Sequence, residues 1–176
     1  ALFRALGDVR GEAVALTGIA ETERISGNLA ASEKLQGEAF ALLQQTDDTL
    51  YRQISLNNKA QLRVLAGDWR SAAKFASDAM ALGETYDYPF QLVYALMSMG
   101  WAALAKGDTQ RASRIFGAVQ ARLDKLGVKF EPQERSQYER CRMTARETLG
   151  DAEYEAATAA GAALPWDQVI AEAHAV

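Results

Sequence analysis

The sequence predicts an all-α protein, a solenoid of three to four helical hairpins with a C-terminal cap, and three observations carry that expectation. Apolar residues recur at helical spacing, as in Leu96, Met99, Gly100 and Ala103, then Ala112, Ile115, Phe116 and Val119. Gly27-Asn28, Gly67-Asp68 and Gly107-Asp108 interrupt that spacing at intervals of 40 residues. No strand-like alternation of any length occurs.

Other positions keep the same 40-residue register. Ala1, Ala41, Ala81 and Ala121 coincide, as do Leu16, Leu56 and Leu96. Ala20, Ala60 and Gly100 form a column of small residues, with Ile19, Lys59 and Met99 beside it; Lys59 breaks that apolar column. A glycine inside a helix costs roughly 0.5–1 kcal/mol against alanine. Gly100 is therefore expected where a neighbouring helix comes close.

Taken in order, residues 1–8 read as the remnant of a preceding repeat. Residues 9–46, 47–86 and 87–126 form the repeats. First helices are expected at about 9–26, 49–66 and 89–106, and second helices at about 29–46, 69–85 and 109–126. Glycine at each turn admits the left-handed conformation, and the adjoining Asp or Asn can cap the helix that follows. Asp47-Asp48 is placed to cap the helix near Thr49, and Pro89 suits a first helical position. Residues 127–176 read as a degenerate repeat and a cap. A charged helix runs from Glu131-Pro132 to about Leu149 with Tyr138, Cys141, Ala145 and Leu149 facing inward. An alanine-rich helix follows at about 152–163, and a last one begins after Leu164-Pro165-Trp166. A solenoid needs such a cap, because its final unit would otherwise leave an apolar face in water.

Composition narrows the function classes. Net charge is −4, so dense phosphate neutralisation is not expected. Arg135, Arg140, Arg142 and Arg146 interleave with Glu131, Glu134, Glu139 and Glu147, the pattern of a solvated, salt-laced helix face. Cys141 and His174 are each alone, which argues against a Cys/His zinc site and, weakly, for a reducing cytoplasm. No apolar window is long enough to span a membrane. The opening ALFRALGD has neither an initiator Met nor a signal-peptide layout and reads as the interior of a longer polypeptide.

In the third unit Gly100, Trp101, Gly107, Asp108, Ala112, Phe116 and Val119 resemble the tetratricopeptide repeat, and the second supplies Leu56, Ala60, Gly67, Asp68, Ala72, Ala76 and Ala79. The 40-residue period exceeds the usual 34 of that class. This longer form, with ALFRALGDVRGEAVAL, SRIFGAVQARLDKLGV and the tail from Glu134, resembles the C-terminal repeat region of large bacterial LuxR-type and related ATP-binding transcriptional regulators. The resemblance covers nearly the whole chain and implies a right-handed α-α solenoid. Family members carry a nucleotide-binding or DNA-binding module elsewhere. Neither a GxxxxGK[ST] loop nor a helix-turn-helix occurs here, so no direct nucleic-acid contact is expected.

In such an array the first helices line a concave groove. Helical spacing then points Thr17, Glu21 and Arg24, Asn57, Gln61 and Val64, and Tyr94, Met97 and Trp101 into it, with Asn58 and Ser98 at its margin. The resemblance aligns Asn58 with an asparagine that bonds a ligand backbone in peptide-binding members. Gly18 and Ser98 occupy the equivalent positions, without the flanking lysines of a carboxylate clamp. Tyr94 and Trp101 have two readings, packing between units or a half-exposed place in the groove. Trp101 has no aromatic counterpart at Glu21 or Gln61. Glu21 and Glu23 do not share a helix face, which leaves them no paired acid–base role.

The expectation is a non-enzymatic, cytoplasmic interaction or effector-sensing domain. It needs no cofactor or metal and binds a protein or peptide segment or a small effector, with no membrane contact. The alternative is a scaffold that self-associates through its truncated N-terminal end, near Leu2, Phe3 and Leu6, or docks an upstream catalytic or ATPase domain.

Overall fold

The computed structural model describes residues 2–176, and these are helical with no strand among them. The described residues form α1 (Leu2–Leu6), α2 (Val9–Ile25), α3 (Leu29–Leu43), α4 (Thr49–Leu65), α5 (Trp69–Tyr86), α6 (Pro89–Lys106), α7 (Thr109–Leu126), α8 (Pro132–Leu149), α9 (Asp151–Ala163) and α10 (Trp166–His174). From α2 to α7 a new helix begins every 20 residues. None is long and apolar enough to cross a membrane.

The turns explain that regularity. Gly27, Gly67 and Gly107 take φ of +83°, +75° and +94°. The next residue's N–H then reaches back to a carbonyl five residues earlier, at 2.9 Å in all three turns. The same closure occurs at Gly7-Asp8 and Gly127-Val128, outside the expected series. Between these turns Asp87 adopts φ 53°, the left-handed stop made without glycine. Asp8, Asp48, Asp68 and Asp108 each cap the following helix, accepting from the N–H three residues on. Asn28 departs from the expected capping role: its amide donates to Glu23 at 2.7 Å and leaves α3 without a side-chain cap.

The expected second helix at 29–46 ends at Leu43. The Gln45 and Thr46 N–H groups bond three residues back, and Thr46 Oγ1 donates to the Leu43 carbonyl, so the last turn tightens and closes. The other boundaries fall within about a residue of expectation.

Helices α2, α4 and α6 touch in succession and form one layer, with α3 against α2 and α4, α5 against α4 and α6, and α7 against α6. Small residues make these contacts close. Ala20 and Ala60 are fully buried, and Ser32 on α3 donates to the Ala20 carbonyl at 2.7 Å. At Gly100 a methyl group would run into the buried ring of Phe116, so the glycine makes room for α7. Lys59 has its own explanation: its ammonium sits 4.8 Å from the centre of the Phe40 ring and 4.7 Å from that of Phe75, a cation held between two aromatic faces.

The C-terminal helices grip α7. Helix α9 crosses it where Gly117 faces the Thr158 carbonyl and Gly161 faces that of Arg114, with no room for a Cβ at either glycine. Helix α10 is tied by Arg114 to Glu172 at 2.8 Å and by Arg122 over the Trp166 ring. Helix α8 runs along α6 and α7, and the Tyr138 hydroxyl donates to the Phe116 carbonyl at 2.7 Å. Tyr138 and Ala145 of its expected inward stripe are buried, while Cys141 and Leu149 are half-buried.

Candidate functional site

One turn of helix separates Glu21 from Arg24 on α2, and Asn57 and Asn58 from Gln61 on α4, so each set projects from its helix as a patch. With Tyr94 of α6 and Glu134 of α8 these patches meet around a cavity of about 120 Å³, lined also by Ile54, Phe90 and Gln91. Of the residues expected in the groove, Glu21, Asn57, Asn58, Gln61 and Tyr94 line this cavity.

The cavity is polar where a helix–helix contact would ordinarily be apolar. Asn57 and Gln61 are 2% exposed, Asn58 and Arg24 7%. Asn57 donates its amide to the Gln91 backbone carbonyl at 3.0 Å and to the Gln91 side-chain oxygen at 3.1 Å. Arg24 bonds Glu134 in a buried ion pair and lies 3.6 Å from Glu21. Asn57 Oδ1, Gln61 Oε1, Asn58 Nδ2 and Arg24 Nε are buried without a hydrogen-bond partner. Tyr94 stands edge-on to Phe90 and Phe130, with centroids 5.2 and 5.1 Å away. Burial holds its hydroxyl well above the usual tyrosine range, and the carboxylates of Glu134, Glu131 and Glu21 push it the same way.

The remaining expected residues lie elsewhere. Trp101 lines a separate, more open cavity of about 620 Å³ with Leu65, Leu104, Gln137, Arg140 and Cys141, so α8 forms one wall of both cavities. Burial raises the Cys141 thiol there to about 11, against a small opposing pull from Arg140. Met97 departs from the expected groove face and is packed in the apolar core. Thr17 is buried with its hydroxyl donated to the Ala13 carbonyl of its own helix, which satisfies it internally.

Glu134 is the correction that matters most. Instead of belonging to a solvated salt-laced face it is 3% exposed and closes the cavity from the α8 side. Its signal is in the sequence: Glu134, Tyr138, Cys141 and Ala145 fall at i, i+4, i+7 and i+11, one face of a helix. The arginines behave more nearly as expected, Arg146 pairing with Asp151 and Glu155 at the surface and Arg142 bonding the Tyr154 hydroxyl.

Among the described residues no group of three or more His, Cys, Asp or Glu side chains converges as metal ligands. No protein-family model matches the chain, and no curated protein does.

Proposed function

We propose that the chain is a non-catalytic helical-repeat domain that binds a partner segment or small effector on the shared face of α2, α4 and α6. The observation that carries this reading is the convergence of Glu21, Asn57, Asn58, Gln61 and Glu134 on one cavity, with four buried polar atoms beside it unpartnered. Groups that serve packing alone would be apolar or internally bonded, since each buried orphan costs about 1–3 kcal/mol. Helix α8 lies against this face, so a partner that binds there would bias how α8 sits.

The reading extends to architecture and context. The regular helix starts and repeated Gly-Asp turns support a right-handed, tetratricopeptide-like solenoid of period 40, one domain over 1–176 whose residues 127–176 form a degenerate repeat and cap. The resemblance in sequence supports a role as the C-terminal part of a cytoplasmic, multidomain bacterial transcriptional regulator of LuxR type.

Panning a peptide library on the chain tests the groove assignment. Selected peptides are expected to lose binding when Asn57 and Gln61 are together replaced by alanine in a variant that keeps its helical spectrum. Selected peptides that all bind that variant unchanged, or a panning that selects none, would sink the assignment.

A second reading has its own observation. Leu2 and Leu6 on α1 are 69% and 71% exposed, which favours a scaffold that self-associates or docks another domain through that end. Sedimentation over a range of concentrations separates the two forms, since a strict monomer excludes self-association.

A further inference from the structure

The polar cavity between α2, α4, α6 and α8 has a definite chemical sense. The orientation of Asn57 follows from its neighbour: the Gln91 backbone carbonyl can only accept, so the Asn57 nitrogen faces it and the oxygen is left over. Gln61 Oε1 is a second acceptor with no donor. Glu21 and Glu134 add two carboxylates to the lining, and Arg24, in contact with both, supplies a single positive charge against them. Orphan donors are Asn58 Nδ2 on the wall and Arg24 Nε behind it. The orphan amide and guanidinium atoms divide evenly, two acceptors and two donors, and the excess of acceptors and of negative charge comes from the two carboxylates. Phe90 and Tyr94 of α6, with Ile54 of α4, supply the apolar part of the lining, against which a hydrocarbon stem can lie.

A cavity of about 120 Å³ holds the volume of roughly four waters. Water alone can satisfy the acceptors; a cation would also pair with the Glu21 carboxylate, which is 42% exposed and stands at the opening of the cavity to solvent. We propose that this cavity binds a small organic cation, a primary ammonium on a short apolar stem, an inference that rests on the reading of this face as the binding groove. The ammonium donates to Asn57 Oδ1, Gln61 Oε1 and the Glu21 carboxylate, while the stem lies on Phe90 and Tyr94. Because Glu134 closes the cavity from α8, occupancy ties α8 more firmly to α2 and α4.

Titrating the isotope-labelled chain with n-propylammonium chloride tests the site, with n-propanol and sodium propionate as neutral and anionic matches. Saturable shifts of the Asn57 and Gln61 side-chain amide signals are expected with the ammonium alone. Glu21→Gln alters a partly exposed carboxylate, so it should fold normally, and it is expected to weaken binding at least tenfold; Gln61→Leu is expected to abolish it. No saturable shift, equal shifts with n-propanol, or unchanged binding in Glu21→Gln would overturn the proposal. If groove-dependent peptides bind while n-propylammonium does not, this inference fails and the groove assignment stands. If neither binds, both fail.

Discussion

Arg24 on α2 and Glu134 on α8 form a buried ion pair across 110 residues of chain. The pair joins the first long helix to the eighth, and no other hydrogen bond or ion pair among the described residues links α2 with α8. Breaking a buried pair from one side leaves an uncompensated charge and costs about 3–5 kcal/mol. Arg24→Ala and Glu134→Ala should each destabilise by that order in urea unfolding. The joint change Arg24→Met with Glu134→Leu should recover most of the loss. Additive losses in the cycle would show that the two residues do not act as a pair.

Two glycines should respond to alanine with opposite sign. Gly161 abuts the Arg114 carbonyl, so Gly161→Ala forces α9 off α7 and should cost about 1–3 kcal/mol. Gly18 lies within α2 and has open space where a Cβ would be, so Gly18→Ala should stabilise by about 0.4–1 kcal/mol. Thermal unfolding of both variants decides the matter.

The Asp68 cap predicts a pH signature. Hydrogen bonds from Ser71 hold its carboxyl below the ordinary 3.8. A lowered carboxylate contributes stability above its unfolded value and loses it as pH falls through the folded one. Asp68→Ala should therefore lower the melting temperature at neutral pH. The difference from the unmodified chain should shrink as the pH drops below 3.8.

Cys141 should be a slow nucleophile. With its thiol raised to about 11, the thiolate at pH 8 is on the order of 0.1% of the total, against about 10% for an unshifted group at 9.0. Iodoacetamide should modify it roughly 100-fold more slowly than a free thiol at that pH. The rate should climb about tenfold per pH unit until the thiol ionises. Faster alkylation in Glu134→Ala would report that α8 has loosened.

Much of the helical layout was legible in the sequence because its causes are local. A glycine that takes positive φ and an aspartate that caps the next turn leave their mark within five residues, so α2, α4, α6 and α7 lie close to where spacing puts them. Asn57, Asn58 and Gln61 were legible for the same reason, since one helix turn relates them. What escaped depends on relations that no short window contains. Glu134 shares the inward face of Tyr138, Cys141 and Ala145, yet nothing within α8 announces the partner it meets, Arg24, 110 residues away. Thr17 shares the helix face of Glu21 yet bonds its own backbone, and Met97 sits where α6 is enclosed from several sides. Lys59 reads as a fault in an apolar column until Phe40 and Phe75 are seen on either side of it.

The glycine crossing of α7 and α9 has a mechanical consequence. Two backbones in direct contact, with no side chain between them, leave nothing that can change rotamer to absorb a displacement. Together with α10, fastened to α7 by Arg114 and Arg122, they move as a single stiff block. Helix α8 is seated on that block by the buried Tyr138 and Ala145 and reaches α2 only through the longer, jointed side chains of Glu134 and Arg24. A load applied at Glu134 would therefore pass along α8 into this end-piece, through the Tyr138 hydroxyl on α7 and Arg142 on α9.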